Sequence, residues 1–522
     1  MIKRVKFLEN EYFWGGCSGH APEMPLYAGC DFSYDLRTES RVQTMPMLLS
    51  SKGRVIWSNE PFNIVVDGDE IVLDGTEFDE FSGGSCLRDA YLSAMKKYFP
   101  FDAEINKNVK IPHDLFTAPQ FNTWMEFTYY QNQEGILKYA HAIVDNGFEP
   151  GVIMIDAGWQ KGYGLWEFDR ATFPNPKAMV DELHDLGFKV MLWVVPFVTS
   201  VGMHFLKSTY DKFSPDTYDK QYLRNKNGDV AIIGWWDGYS AILDMRKECD
   251  QIFLKKQLDA LMSEYGIDGF KLDGGGYNLY HPNNIINGEP ADDHDTVALN
   301  HAWIDFGVQY TYHEYKDTYK YGGRVHISRL SDRNHDWENG AQTIIPCATM
   351  IGLLGYPFIC PDMVGGGEWH YNHLPGFKVD QELFVRMAQI SVFFPMIQFS
   401  WAPWRVLSPE NFEIVKKAYE LHQSVVDDIM AELESSEKTG EPIVRTLEYV
   451  DPHQGFETIQ DEFMLGNDIL SCPVVTPNTY EREVVFPEGK WQDEDGNIYE
   501  GRTTARLSAP IDKLLWFRRV KQ

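Results

Sequence analysis

The segment "IDGFKLDGGG", residues 267–276, sets an apolar run against one carboxylate, Asp273, followed by three consecutive glycines. A short apolar run closed by a turn reads as a buried strand. The residue that ends it is then a structural cap, part of a phosphate loop, or a catalytic group. The phosphate reading is weak, because "DGGGYN" lacks both the Walker lysine and the wider pattern of a dinucleotide fingerprint. Outward from this segment the pattern recurs in "GVIMID", "KVMLWVVP", "RVHISR" and "PFICPD". These strands are mostly bracketed by amphipathic helices, among them residues 132–146, 176–186 and 247–265. Strand–helix alternation across residues 111–407, with polar or acidic residues just after the strands, predicts a (β/α)8 TIM barrel of the α/β class. Its fifth strand cannot be placed between His301 and Gly322.

The flanks read differently. From Lys3 to about Asp102 short strands alternate with turns, as in "GRVIWSN" and "FNIVVDGDEIVLDG", and the Asp-Gly pairs at Asp67 and Asp74 are hairpin signals. A long helix is expected at 409–433, followed by the short strands "FMLG", "ILSCPVV", "REVVFP" and "KLLWFRR". The expected division is an N-terminal β-sandwich at 1–110, a catalytic barrel at 111–435 and a C-terminal β-sandwich domain at 436–522.

Composition narrows the function. The 522 residues are 43% hydrophobic, enough for large folded interiors, and the net charge of −30 argues against a nucleic-acid partner. Fifteen Trp, 27 Tyr and 32 Phe suit sugar faces, although large cores also use many aromatics. Seven cysteines without C-x-x-C spacing read as free thiols in a reducing compartment. The N-terminus carries basic residues with no apolar run after them, and no stretch is long and apolar enough for a membrane span. A cytoplasmic protein with no membrane partner is the expectation, and a homo-oligomer is left open.

In a (β/α)8 barrel the carboxyl ends of the strands converge, so polar residues there carry a catalytic prior. Four carboxylates qualify: Asp156, Asp273, Asp332 and Asp362. One Asp after a strand is more often a cap; four in one barrel favour chemistry. The best histidine pair for a metal, His294 and His301, is seven apart and not the i, i+4 pair zinc favours, so no metal is expected. Glycoside hydrolysis needs one carboxylate as nucleophile and one protonated as acid, with others to bind hydroxyls.

Residue-level resemblance then becomes specific. "IMIDAGWQKGYGLWEFDRATFPNPKAMVDELHDLGFKVMLWVVPF", "GFKLD" and "MIGLLGYPFICPDMVGG" resemble barrel segments of glycoside hydrolase family 31. "MPMLLSSKGRVIW" resembles that family's N-terminal sandwich, and "DEFMLGNDILSCPVV" its C-terminal one. "LSDRNHDW" and "FFPMIQFSWAPWR" are most similar to the branch holding the myogenesis-regulating glycosidase and bacterial α-galactosidases. Two departures from the α-glucosidase pattern put glucose in doubt. Arg329 and Asp332 are only three apart, and a late sugar-binding His is replaced around Gln398–Trp401.

The resemblance implies a retaining exo-acting α-glycosidase without cofactor, most simply an α-galactosidase, acting on an oligosaccharide or glycoside. An α-glucosidase or α-xylosidase of the same mechanism is the alternative, and an inactive carbohydrate-binding homologue the remote one. It implies Asp273 as nucleophile and Asp332 as acid/base, with Asp336 as the nearby rival. Lys271, two residues before Asp273, would share its side of the strand. Asp156, Arg329 and Asp362 would bind hydroxyls; Trp159, Trp193, Trp401 and Trp404 are candidate apolar platforms. The glycines after Asp273 would let the backbone turn beneath the sugar.

Overall fold

The computed structural model describes residues 1–38, 42–101, 111–203, 221–324 and 326–521. They form two compact units, one of Ala118–Tyr319 and one of Met1–Thr117 with Lys320–Gln522.

In the first unit the strands Gln120–Asn122, Val152–Ile155, Lys189–Val194, Gly269–Leu272 and Tyr312–Tyr315 pair in that order, all in parallel. Helices Gln133–Asp145, Pro176–Asp185, Glu248–Tyr265 and Thr296–Gly307 lie between them in the chain. The helix ends follow local chemistry. Asn132 Oδ1 accepts from Gly135 N at 2.8 Å, satisfying one orphan donor, while Gly266 at φ 86° closes the third helix in the left-handed region. The strands are covered on both faces, so Val152–Ile155 and Gly269–Leu272 are buried throughout, as parallel strands require. The fifth strand, Tyr312–Tyr315, hid from sequence reading because its sequence is Tyr-His-Glu-Tyr. Its His313 and Glu314 are nonetheless buried. Two antiparallel excursions leave the strand ends: Gln160–Gly162 with Leu165–Phe168, and Phe197–Val198 with Gly238–Ile242 and Ile232–Trp235.

In the second unit two antiparallel sheets of four strands each form the N-terminal β-domain. Its Thr44–Ser50 strand is buried at every position. The Asp67-Gly68 hairpin is present, with Asp67 paired to Glu70. Asp74-Gly75 is a correction: Glu70–Asp74 and Asp79–Ser82 lie in different sheets, so the pair marks a crossover between sheets. A side chain at Gly75 would come within 2.9 Å of both Phe62 and Phe78, so glycine serves close packing here.

Parallel pairing resumes at Ser328–Arg329 with Ile359–Cys360, and at Met363–Val364 with Gln398–Phe399. The strand expected in "RVHISR" is confined to Ser328–Arg329, and Val325 lies outside the described residues. The long helix expected at 409–433 is also corrected, since it divides into Pro409–Ser424 and Val426–Thr439. At the break Ser424 Oγ bonds Leu421 O at 2.7 Å, and two β-branched valines follow, both unfavourable to helix continuity. The C-terminal β-domain has a six-stranded and a two-stranded sheet around a core that includes Phe486, Trp491 and Phe517. The fold class is a (β/α)8 barrel with flanking N- and C-terminal β-domains, its parallel strands divided between the two units.

Candidate active site

Asp156 and Asp273 directly follow the second and fourth parallel strands. Lys271 Nζ donates to Asp156 Oδ2 at 2.8 Å, and the two side chains are 5% and 3% exposed. Asp156 Oδ1 accepts from Ala157 N at 2.8 Å, so the carboxylate is held at both oxygens. Such a buried ion pair is viable only because charge and hydrogen bonds are matched.

Asp273 accepts from Trp193 Nε1 on Oδ2 at 3.1 Å and from Gly274 N on Oδ1 at 2.9 Å. Both donors are neutral, and together they orient the carboxylate. The indole of Trp193 is thereby a positioning group for Asp273. Trp159 is fully buried, and its Nε1 donates to Trp193 O at 2.8 Å. Enclosed in this way, Trp159 braces the strand that carries Trp193.

The three glycines serve the turn and close packing together. Gly274 has φ 71°, which makes the turn. The space beside Gly275 is filled by Trp303, which an added Cβ would meet at 2.0 Å. Beside Gly276 lies Asp317, whose Oδ2 would be 1.7 Å from an added Cβ. Close packing by the protein itself, beyond room for a sugar, requires the run.

Asp317 escaped sequence reading because no apolar run marks the strand before it. Its Oδ1 is enclosed with no hydrogen-bond partner among the described residues. Burial, reinforced by the charge of Asp273, pushes its pKa up to about 7, against a smaller opposing effect of Lys316.

The second unit carries the other carboxylates. Arg329 Nη1 donates to Asp332 Oδ1 at 3.0 Å and also to Asp362 Oδ1. Asp362 Oδ2 accepts from Arg333 N at 2.7 Å, and Asp362 itself has a left-handed backbone at φ 77°. Arg329 and Asp362 side chains are inaccessible, whereas Asp332 remains 25% exposed. Gly367 lies over this trio: a Cβ there would be 3.1 Å from Oδ1 of both Asp332 and Asp362. The N-terminal β-domain contributes Gln43, whose Nε2 donates to Arg329 O at 2.8 Å.

Asp336, the rival for acid/base work, is consumed structurally. Its Oδ1 caps a helix start, accepting from Asn339 N at 2.6 Å and Gly340 N at 3.1 Å. Its Oδ2 accepts from Asn334 Nδ2 and Tyr371 OH, both at 3.1 Å. Burial opposes its charge, but these donors together hold its pKa below the ordinary value. His335 bonds Gly365 O through Nδ1 at 2.7 Å and accepts from Asp380 N on Nε2 at 2.8 Å. That pattern is the neutral imidazole, which burial also favours. Arg333 turns to Ser331 O and Thr343 Oγ1, at 2.9 and 3.0 Å. Trp401 is buried between His335 and Phe377, with Nε1 on Asn372 Oδ1 at 3.2 Å; Trp404 is half-buried in the short helix Pro403–Val406.

His294 and His301 each bond a backbone carbonyl, of Tyr280 and Tyr319, at 2.7 and 2.8 Å. Among the described residues no group of three or more His, Cys, Asp or Glu side chains is arranged to hold a metal. No helix among them is long and apolar enough to cross a membrane.

Comparison with known proteins agrees with this architecture. The sequence profile of the "Glycosyl hydrolases family 31 TIM-barrel domain" matches residues 115–429, and that of the family's C-terminal domain matches residues 440–520. The chain is 29% identical to the myogenesis-regulating glycosidase of Mus musculus over 82% of its own length and 59% of that protein. It is 25% identical to alpha-glucosidase 2 of Bacillus thermoamyloliquefaciens, over 75% of this chain and 51% of that one. The chain thus spans little more than half the length of these relatives. A dextranase of Flavobacterium johnsoniae complexed with isomaltotriose superposes with a TM-score of 0.79 at 17% identity, covering 99% of this chain and 66% of that one, and attests the fold. With the family's barrel profile spanning more than half of its residues, the chain belongs to glycoside hydrolase family 31.

Proposed function

We propose that the chain is a retaining, exo-acting α-glycosidase that prefers α-galactosides. The observation that carries this reading is the different treatment of the carboxylates at the strand ends. Asp156 and Asp362 are buried in ion pairs, Asp273 accepts from the Trp193 indole and from Gly274 N, and Asp332 keeps an exposed edge. In this reading Asp273 attacks the anomeric carbon as the glycosidic C–O bond breaks, and Asp332 gives its proton to the leaving oxygen. Water then attacks the glycosyl–Asp273 ester while Asp332 takes its proton, releasing the sugar and regenerating both carboxyls. Asp156 and Lys271 hold sugar hydroxyls, the enclosed Arg329 and Asp362 position Asp332, and Trp401 and Trp404 line the pocket.

Galactose preference is supported by the replacement of the glucosidase His around Gln398–Trp401 and by the Asp156–Lys271 pair as a partner for an axial 4-hydroxyl. The likeness to alpha-glucosidase 2 favours the second reading, an α-glucoside or α-xyloside cleaved by the same mechanism. Domain limits at 1–110, 111–435 and 436–522 are supported by the profile matches; residues 102–110, at the first limit, lie outside the described residues. The free cysteines, four of them buried, support a reducing, cytoplasmic location.

A panel of nitrophenyl α-galactoside, α-glucoside and α-xyloside tests the reading. Faster turnover of the galactoside is expected. Faster turnover of either other glycoside overturns the sugar preference, and no turnover of any overturns the enzymatic reading.

A further inference from the structure

Asp237 stands in the two-residue turn between Ile232–Trp235 and Gly238–Ile242, whose terminal pair is Trp235 with Gly238. Two phenols close on it. Tyr129 donates to Oδ1 at 2.9 Å and Tyr163 to Oδ2 at 2.5 Å. Tyr129 follows the first parallel strand, Tyr163 turns the hairpin after the second, and Asp237 lies beyond the third. Three separate loops therefore meet at one carboxylate.

Burial, then the charge of Asp237, raises the pKa of both phenols well above the ordinary tyrosine value, so they act as donors. Asp156 follows the second parallel strand, ahead of the Tyr163 hairpin, and Tyr129 follows the neighbouring first strand, so all three leave the same end of these strands. The Tyr163 ring packs edge-on against Trp193, with centroids 6.0 Å apart, and Trp193 donates to Asp273. One phenol and one indole thus lead from Asp237 to Asp273. Asp237 is half-buried, and its neighbour Trp236 is 53% exposed. Each carboxylate oxygen holds a phenol yet keeps capacity for a second donor.

We propose that Asp237 is a specificity-determining substrate ligand. It accepts a hydrogen bond from a sugar hydroxyl on C3, C4 or C6, remote from the anomeric carbon that meets Asp273. The clamp of two phenols fixes the carboxylate before the sugar arrives, so that binding costs little reorganisation. This inference rests on the glycosidase reading above.

The test uses the nitrophenyl α-glycoside that the wild type turns over fastest and its 2-, 3-, 4- and 6-deoxy analogues. In the wild type, one of the 3-, 4- or 6-deoxy analogues should lose about 10²-fold in kcat/KM, because the site's polar group is left unpaired. Asp237→Ala should lose a similar factor on the parent glycoside yet show less than about 3-fold further loss on that analogue. Asp237→Asn, of the same volume, serves where the alanine variant fails to fold. Equal loss on parent and all analogues, or loss of discrimination only at C2, overturns the proposal. If the wild type turns over no glycoside, the functional reading fails separately. Calorimetric binding of galactose, glucose and their deoxy forms then tests Asp237, and unchanged binding in the variant overturns it.

Discussion

Lys271 and Asp156 form a buried ion pair at 2.8 Å, reaching from the fourth parallel strand to the end of the second. Removing one partner leaves the other charge in the interior, which costs about 3–5 kcal/mol. Lys271→Met and Asp156→Leu should each lower stability by about that amount in urea unfolding, and the double variant by less than either. A double-variant loss equal to the sum of the two single losses would show that the pair is not coupled.

Asp273 is expected to be the covalent nucleophile. Asp273→Ala should lower kcat by at least about 10⁴-fold, and azide should restore part of the turnover of a reactive glycoside, giving an azide product of inverted configuration. In a crystal of the protein with a bound sugar, the Asp273 and Asp332 carboxyls should lie about 5–6 Å apart, as retention requires. A separation beyond about 9 Å would indicate inversion.

The assignment of acid and cap separates Asp332 from Asp336. Asp336→Ala should lower stability by about 1 kcal/mol through loss of its cap and leave kcat/KM within a few-fold. Asp332→Ala should slow glycosides with poor leaving groups by about 10²–10⁴-fold, spare nitrophenyl substrates more, and remove the basic limb of the pH profile. A basic limb that survives in Asp332→Ala would move the role elsewhere.

Asp317 makes stability fall as pH rises. Its folded pKa of about 7 lies above the ordinary carboxyl value, so the folded state binds the proton more tightly than the unfolded one. The resulting stabilisation is complete below about pH 4 and is lost as pH rises to about 7. Glu448, pushed up to about 8 mainly by burial, acts in the same direction over a slightly higher range. Asp317→Asn should therefore gain stability, on the order of 1 kcal/mol, at pH 8 relative to pH 4. A variant whose difference from wild type is independent of pH would refute this.

The sequence by itself determined the elements whose signals are local. Strands such as Val152–Ile155 are continuous apolar runs between helices, and the helix at Gln133–Asp145 begins at an Asn cap and ends one residue from the expected limit. Four carboxylates following barrel strands were likewise visible, because position after a strand is a linear property. Signals that depend on what lies opposite were not. Tyr312–Tyr315 is a barrel strand without an apolar run, and only burial beside Gly269–Leu272 makes it one. The partner of Lys271 is Asp156, 115 residues away, and no spacing rule reaches that far. Trp159 and Trp193 look alike as sequence, yet one indole N–H holds a backbone carbonyl and the other holds Asp273. Asp336 and Asp332, four residues apart, differ because one meets the free N–H groups of a helix start and the other meets Arg329. Local propensity and pattern place a residue on an element; the charge state and orientation of its side chain depend on groups that only the folded chain brings within hydrogen-bond distance.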